Sequence, residues 1–157
     1  MLKEAFRQAC ARYATGITVA TVTDAEGRPH GLTANSFSSV SWEPPMVLVC
    51  VDHGASAYRQ FHAAPAFAIN ILAEEQRPLS VRFAGPADER FEGVGWRRGE
   101  AAGAPLLDGV LAWLECRTTH RVDAGDHTVF IGEVVAADSR DGRPLVYFLR
   151  DYRVIAG

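Results

Sequence analysis

The chain has 157 residues, a length that suits one domain built around a single hydrophobic core. Apolar residues make up 48% of it, charged residues 22%, and the formal net charge is −3, so no broad positive field favours nucleic acid or an anionic membrane. No apolar run approaches the ~20 residues of a membrane helix, and charges interrupt the N-terminal stretch. We therefore expect residues 1–157 to form a single domain in the cytoplasm.

The cysteines and histidines predict neither a disulfide framework nor a metal site. Cys10, Cys50 and Cys116 are an odd number, lie far apart and form no C-x-x-C pair, so we expect buried, reduced thiols. No two of the five histidines have the i, i+4 spacing that places two metal ligands on one helix face.

The first elements along the chain are a helix and a hairpin. Apolar residues recur at helical spacing between Leu2 and Tyr13, which predicts an amphipathic helix that ends before Gly16 and packs on another element. The β-branched run "ITVATVT" starts at Ile17, and the turn "DAEGR" separates it from a second run that begins at His30. This pattern is typical of a β-hairpin.

Two strands and two short helices are predicted next. The runs "MVLVCV" (residues 46–51) and "FAINIL" (residues 67–72) are almost continuously apolar, which is typical of strands covered on both faces. A short helix is expected over residues 56–63, and a second one has Pro78 in its first turn and ends before Gly85.

The C-terminal half contains an irregular segment and then three strands. Residues 86–108 carry charges and glycines without a sustained period, so we interpret them, Arg90 included, as a solvated surface excursion. "VLAWLECRTTHRV" alternates as a long half-buried strand, with Cys116 on one face and Glu115 on the other. "TVFIGEVVAA" and "PLVYFL" supply two more strands, joined through "SRDGR". Sequential hairpins with few helices predict a mainly antiparallel sheet closed into a small barrel.

Two segments contain candidate functional residues. "GLTANSFSSVSWEPP" is rich in small and hydroxyl side chains, which allow the backbone to approach a flat heteroaromatic ring, although an ordinary Ser/Thr-rich edge strand and turn has the same composition. "GDHTVFIGEV" places His127 between a turn and a strand, where it either caps a hairpin or offers a hydrogen bond to a ligand. No G-x-S-x-G elbow supports a hydrolase, and "GVGWRRG" lacks the spacing of a dinucleotide-binding loop.

The order and spacing of five segments resemble the short-chain flavin reductase family, from Phe6 to about Tyr152. The segments are "ATGITVATV", "GLTANSFSSVSWEPPMVLVCVD", "FAINIL", "RFAG" and "GDHTVFIGEV". The resemblance implies a mainly β fold, an antiparallel, Greek-key-like split β-barrel with a few short flanking helices, and a homodimer.

The resemblance also implies roles for individual residues. The stretch expected to line the isoalloxazine ring is Thr33, Ala34, Asn35, Ser36 and Phe37, continued along the flavin by Ser39 and Val40. Gly54, Ala55 and Ser56 resemble the contact to the ribityl phosphate, at the start of a short helix. Arg82 and Phe83 resemble a phosphate and flavin contact from the second helix. His127 is expected beside the reduced nicotinamide as the catalytic-site residue, flanked by Tyr152, and no metal is expected.

These implications define an expected activity and an alternative. We expect an NAD(P)H:flavin oxidoreductase of the EC 1.5.1 type, with FMN or FAD and NADH or NADPH as the two cofactors. It would transfer a hydride to the flavin and supply reduced flavin to a partner monooxygenase. The alternative is a non-catalytic flavin- or haem-binding protein on the same barrel, such as a carrier or redox sensor.

Overall fold

A computed structural model describes residues 1–156. Within these residues, three helices and twelve strands follow each other, with short 3₁₀ turns at Glu74–Gln76 and Ala87–Glu89. In chain order they are α1 (Leu2–Ala11), β1 (Thr15–Gly16), β2 (Thr18–Thr23), β3 (Pro29–Ala34), β4 (Ser38–Trp42), β5 (Pro45–Asp52), α2 (Tyr58–Ala63), β6 (Ala66–Ile71), α3 (Arg77–Phe83), β7 (Trp96–Arg98), β8 (Pro105–Leu107), β9 (Ala112–Ala124), β10 (His127–Ser139), β11 (Val146–Phe148) and β12 (Asp151–Arg153).

The main sheet has seven antiparallel strands in the order β3-β2-β6-β9-β10-β5-β4. Three hairpins, β2–β3, β4–β5 and β9–β10, join neighbours, and β6 is inserted between β2 and β9 in a Greek-key-like arrangement. The edge strands β3 and β4 form no ladder with each other, although residues 35–37 connect them directly along the chain. The predicted mainly β, antiparallel fold is confirmed. The prediction of a closed barrel is wrong, because the sheet stays open between β3 and β4, and this open edge is compatible with a split barrel.

The largest cluster of buried apolar side chains lies between this sheet and α2, and smaller clusters lie elsewhere, one of them around Leu72 and Phe83. The largest cluster contains the inward side chains of β5, such as Val49, and the rings of Phe61, Phe67 and Phe130. Phe61 and Phe130 meet edge to face, with ring centroids 5.9 Å apart. The prediction that both faces are covered is confirmed for β6. It is wrong for β5, whose alternate side chains are only half-buried.

The long hairpin of β9 and β10 forms the most extensive pairing of the sheet. Its ladder runs from the pair His127–Ala124 to the pair Ser139–Ala112, with two register shifts. Gly132 lies at the first shift, where a Cβ atom would approach the Phe67 ring to 2.7 Å. A larger residue at this position would collide with the core, so glycine lets the Phe67 ring of β6 pack closely on the backbone of β10.

The segment predicted as an irregular surface excursion is more ordered than its composition indicates. β7 and β8 pair within it, and all three residues of β8 are buried. The carboxylate of Glu115, whose residue is only 2% exposed, accepts hydrogen bonds from the backbone N–H groups of Ala101, Ala102 and Gly103. The predicted strand β9 is confirmed, but its burial does not alternate: Glu115 and Cys116 are both buried, because this loop covers Glu115, and residues 119–124 are all exposed.

Helix α1 forms as predicted but buries none of its residues within the described chain. Leu2 is 85% exposed and Phe6 is 64% exposed, so the expected packing partner is not found in residues 1–156. The expectation of three buried thiols is also wrong for Cys10, which lies exposed on this helix, and for Cys50, which is only half-buried. Cys116 is buried, and burial, followed by the nearby Glu115 charge, raises the pKa of its thiol to about 12.

Within residues 1–156, no helix combines the length and the apolar character that crossing a bilayer requires.

Candidate functional site

A cavity of about 380 Å³ opens at the split of the barrel. Its walls come from the end of β3 and the link that follows it, from β5, from the first residue of β10 and from the region after α3. The lining residues are Leu32, Thr33, Ala34, Asn35, Ser36, Cys50, Asp52, Ala55, Phe83, Ala84, Arg90 and His127.

The link between the two edge strands forms one wall of this cavity. The β2–β3 ladder ends at Ala34, and within residues 1–156 the backbone N–H groups of Asn35, Ser36 and Phe37 have no protein acceptor. The Ser36 hydroxyl donates to the Cys50 carbonyl and accepts from the Cys50 N–H, both at 3.0 Å, which fastens the link to β5. Donors that remain unsatisfied beside a cavity are available to a ligand.

His127 forms the opposite part of the wall. It is the first residue of β10 and pairs with Asp52, the last residue of β5, so both side chains lie at the cavity mouth. Its Nδ1 lies 2.7 Å from Asp126 Oδ1, and this hydrogen bond lowers the pKa of the Asp126 carboxyl. In neutral imidazole, Nδ1 is then the donor and Nε2 the acceptor, so Nε2 is available to a ligand.

The loop after β5 is tied to the same strands. Asp52 Oδ1 accepts a hydrogen bond from the Gly54 N–H at 2.6 Å, and Ala55 lines the cavity. Gly54 and Ser56 are exposed and do not line it. The expected helix starts two residues later than predicted, at Tyr58, and has no side-chain cap.

A buried hydroxyl behind His127 holds this loop in place. Thr128 Oγ1 donates to Asp123 Oδ1 at 2.6 Å, and its lone pairs face Tyr58 Oη at 2.9 Å and His53 Nε2 at 3.1 Å. Because Thr128 directly follows His127, the loop and the histidine share one support.

Two arginines near α3 differ from their sequence-based interpretation. Arg90 was expected on a solvated surface, but it is only 9% exposed and lines the cavity, so that interpretation is wrong. Arg82, the predicted contact, lies outside the cavity lining, and its Nη1 donates to the carbonyls of Glu89 at 2.7 Å and Glu92 at 3.0 Å. Phe83, also predicted, is fully buried and closes the wall beside Arg90.

The remaining predicted residues lie outside the cavity lining. Phe37 packs on the core, and Ser39 and Val40 are exposed on β4. Tyr152 shares a hydrogen bond of 2.8 Å with the hydroxyl of Ser80 on α3. The cavity therefore unites Thr33 to Ser36, Ala55, Phe83 and His127 of the predicted set, and adds Arg90, Cys50 and Asp52. No sequence pattern distinguishes Arg90 from its charged neighbours.

A larger cavity, of about 540 Å³, lies elsewhere. It is bounded by the β2–β3 turn, the end of α2 and the loop from Arg98 to Ala104, with Arg28 and Arg59 also in its lining. None of the predicted site residues lines it.

The fold and the smaller cavity define a split-barrel protein with a slot at its open edge, and comparison with known proteins identifies the family. The family model described as flavin reductase like domain matches residues 10–156. The chain belongs to this flavin reductase-like family.

Individual relatives support the same assignment. The chain is 46% identical over 135 residues to the stachydrine N-demethylase reductase subunit of Rhizobium meliloti, which is 86% of this chain and 58% of that protein. It is 45% identical over 146 residues to the reductase component of the flavin-dependent trigonelline monooxygenase of Acinetobacter baylyi, 93% of this chain and 47% of that protein. The chain thus spans about half the length of these curated relatives.

A solved structure matches along nearly its whole length. The NADH:FAD oxidoreductase of Streptomyces globisporus, in complex with NAD and FAD fragments, superposes with a TM-score of 0.92 at 37% identity. The match covers 98% of this chain and 93% of that one.

Proposed function

We propose that this chain is an NAD(P)H-dependent flavin reductase, an oxidoreductase of the EC 1.5.1 type that supplies reduced FMN or FAD to a partner monooxygenase. The observation that carries the proposal is one cavity lined by Asn35 and Ser36, whose backbone N–H groups have no acceptor within residues 1–156, and by His127, whose Nε2 has no partner there. Membership of the flavin reductase-like family supports the same activity.

The donor set of the cavity fits a flavin. A ring with carbonyl and nitrogen acceptors along one edge matches a backbone stretch that presents free N–H groups, and small side chains at Ala34 and Ser36 let the ring approach. The cavity volume of about 380 Å³ lies within the usual range of small-molecule sites. Thr33, whose hydroxyl donates to the Ser80 carbonyl at 2.6 Å, fixes this stretch against α3.

In this proposal the protein positions two rings and leaves the redox chemistry to them. Bound flavin supplies the hydride acceptor, and the reduced nicotinamide of NADH or NADPH is the donor. Asp126 holds the imidazole of His127 so that Nε2 accepts a hydrogen bond from the nicotinamide carboxamide. The side chain restricts the nucleotide to a pose in which the rings lie face to face, and no residue needs to donate a proton to the ring.

The other predicted contacts form the periphery of the proposed site. Gly54 and Ser56 flank Ala55 and continue its side of the cavity towards the flavin phosphate. Ser39 and Val40 follow Phe37 along the chain and continue the site along the flavin. Arg82 and Tyr152 act through α3. Arg82 bonds this helix to the loop that follows it, and Tyr152 bonds it to β12. Residues 1–157 function as one domain, and because the reaction consumes reduced nicotinamide nucleotide we place it in the cytoplasm.

We also propose that the chain works as a homodimer. The apolar side chains of α1 are uncovered within the described chain, and Tyr13 extends the same exposed surface at 78% exposure. Light scattering after gel filtration is expected to give twice the chain mass. Phe6→Glu is expected to shift the protein to the monomer, whereas Arg7→Glu on the polar face of α1 leaves the dimer intact; a monomeric wild type contradicts this part of the proposal.

One assay separates the reductase from the non-catalytic alternative. The protein is mixed in air with catalytic FMN or FAD and excess NADH or NADPH, and the absorbance of the reduced nicotinamide is followed. Many turnovers per protein support the reductase, because oxygen regenerates the flavin. Stoichiometric flavin binding without nucleotide oxidation supports a carrier and overturns the proposal.

A further inference from the structure

Arg90 is a buried cation in the wall of the proposed flavin site. Its Nε and Nη2 donate to the Gly85 carbonyl at 3.0 and 2.8 Å, and its Nη1 donates to the Gly31 carbonyl at 2.7 Å. These bonds use three of the five guanidinium N–H groups and fix the side chain between β3 and the loop that follows α3.

The positive charge of Arg90 has no carboxylate partner within residues 1–156. Its hydrogen bonds all go to neutral carbonyl oxygens, and burial is the cause that lowers the pKa of the guanidinium. A buried charge without a counter-charge is costly to keep in a folded protein. Because the side chain also lines the cavity, an anion bound there would compensate this cost.

Arg82 provides an internal comparison. It lies on the same segment and also donates to two backbone carbonyls, but it is exposed and outside the cavity lining. An arginine can therefore hold the backbone of residues 82–92 in place by hydrogen bonds without being buried at the cavity. The burial of Arg90 at that place is the feature that calls for an electrostatic explanation.

We propose that Arg90 supplies the positive charge that binds the anionic, reduced flavin ring in preference to the neutral, oxidised ring. This inference rests on the proposed flavin reductase function. Hydride transfer breaks the C4–H bond of the nicotinamide and forms an N5–H bond on the flavin, and the electron pair moves with the hydrogen. The nicotinamide ring becomes a cation, and the flavin ring carries a negative charge at neutral pH, so a fixed cation at its edge stabilises the product and the transition state.

The position of Arg90 favours the ring over the flavin phosphate. The guanidinium is bonded to the Gly31 carbonyl of β3, two residues before Thr33, which starts the stretch proposed to line the ring. The stretch proposed for the phosphate, Gly54 to Ser56, follows β5 on the other side of the split. Arg90 therefore belongs to the ring side of the cavity.

Riboflavin is the suitable probe because it contains the ring and lacks the phosphate. Its dissociation constant is measured for the oxidised and the chemically reduced form under anaerobic conditions, with wild type, Arg90→Gln, Arg90→Lys and the control Arg117→Gln, which changes an exposed arginine of β9 outside the cavity lining. Arg90→Gln is expected to weaken reduced riboflavin about tenfold more than oxidised riboflavin, which lowers the midpoint potential of the bound two-electron couple by about 30 mV. Arg90→Lys keeps the charge and restores most of the preference, and Arg117→Gln leaves it unchanged.

Several results would overturn the inference. An equal loss of both redox forms assigns Arg90 a purely structural role, and a loss of FMN affinity without a change for riboflavin assigns it to the phosphate. Unchanged riboflavin affinities in Arg90→Gln also refute it. If Arg90→Gln does not fold, the wild type remains decisive: its bound riboflavin must have a higher midpoint potential than free riboflavin, and a lower one contradicts the proposal.

These binding results are independent of turnover. A wild type that binds reduced riboflavin preferentially but oxidises no nucleotide would refute the reductase function and leave the role of Arg90 standing. A wild type that turns over while Arg90→Gln keeps the redox preference would refute only the role of Arg90.

Discussion

Replacement of His127 by alanine tests the assignment of the nicotinamide side of the cavity. The imidazole is 40% exposed, its Nδ1 is engaged by Asp126, and no other described residue bonds to Nε2. The substitution therefore removes one hydrogen bond to a neutral ligand group, a contribution of about 0.5–1.5 kcal/mol. By the usual relation between free energy and affinity, this corresponds to an increase of about twofold to tenfold in the KM for NADH.

The assay is steady-state oxidation of NADH in air at saturating FMN, with FMN affinity measured separately by quenching of flavin fluorescence. FMN affinity is expected to change less than twofold, because the backbone donors of residues 35–37 are unaffected. His120→Ala is the matched control, since His120 is an exposed histidine of β9 outside the cavity lining. A His127→Ala variant that loses FMN but keeps its KM for NADH would refute the assignment.

Three further predictions concern the scaffold. Glu115→Gln replaces a buried carboxylate that accepts hydrogen bonds from three backbone N–H groups. It is expected to lower the free energy of unfolding by about 3 kcal/mol in urea titrations, and a change below about 1 kcal/mol contradicts the role given to this carboxylate. Gly132→Ala, whose Cβ would lie 2.7 Å from a buried phenylalanine ring, is expected to lower the free energy of unfolding by about 1–3 kcal/mol in the same titration. Gly16→Ala, whose Cβ would have nothing within 4 Å, is the control and is expected to leave that free energy nearly unchanged. Equal losses in the two variants would refute the packing argument. The hydrogen bond from His30 and those from Arg28 hold the pKa of Asp24 well below its usual range, so Asp24 stabilises the fold above about pH 4, and this contribution is lost as the pH falls below that value. Thermal melting of Asp24→Asn from about pH 6 to pH 2 is expected to show a smaller loss of Tm than the wild type, and parallel curves would exclude this contribution.

Local periodicity was sufficient for the elements that form the sheet. The alternation of β9 and the apolar run of β6 depend on side chains that lie within a few residues of each other, so they predict strands without knowledge of their neighbours. The composition of residues 33–36 left open both a ligand wall and an ordinary edge strand, and only the family resemblance favoured the wall; these residues do line the cavity. Their ligand remains a prediction.

The features that the sequence did not predict depend on contacts between distant segments. Arg90 lies among charged residues, as the exposed arginines do, and the fold buries it between Gly85 and the distant Gly31. The carboxylate of Glu115 is likewise buried by a loop more than ten residues away. For α1 the amphipathic pattern correctly predicted a helix, but a periodic pattern contains no information on the surface that covers it.

A crystal structure of the protein with FMN tests the central claim most directly. We predict that the isoalloxazine ring lies in the cavity at the barrel split, along the backbone of residues 35–37 and within reach of His127 and Arg90. A ring found in the larger cavity near Arg59 and Arg98, or outside the cavity at the split altogether, would contradict the account.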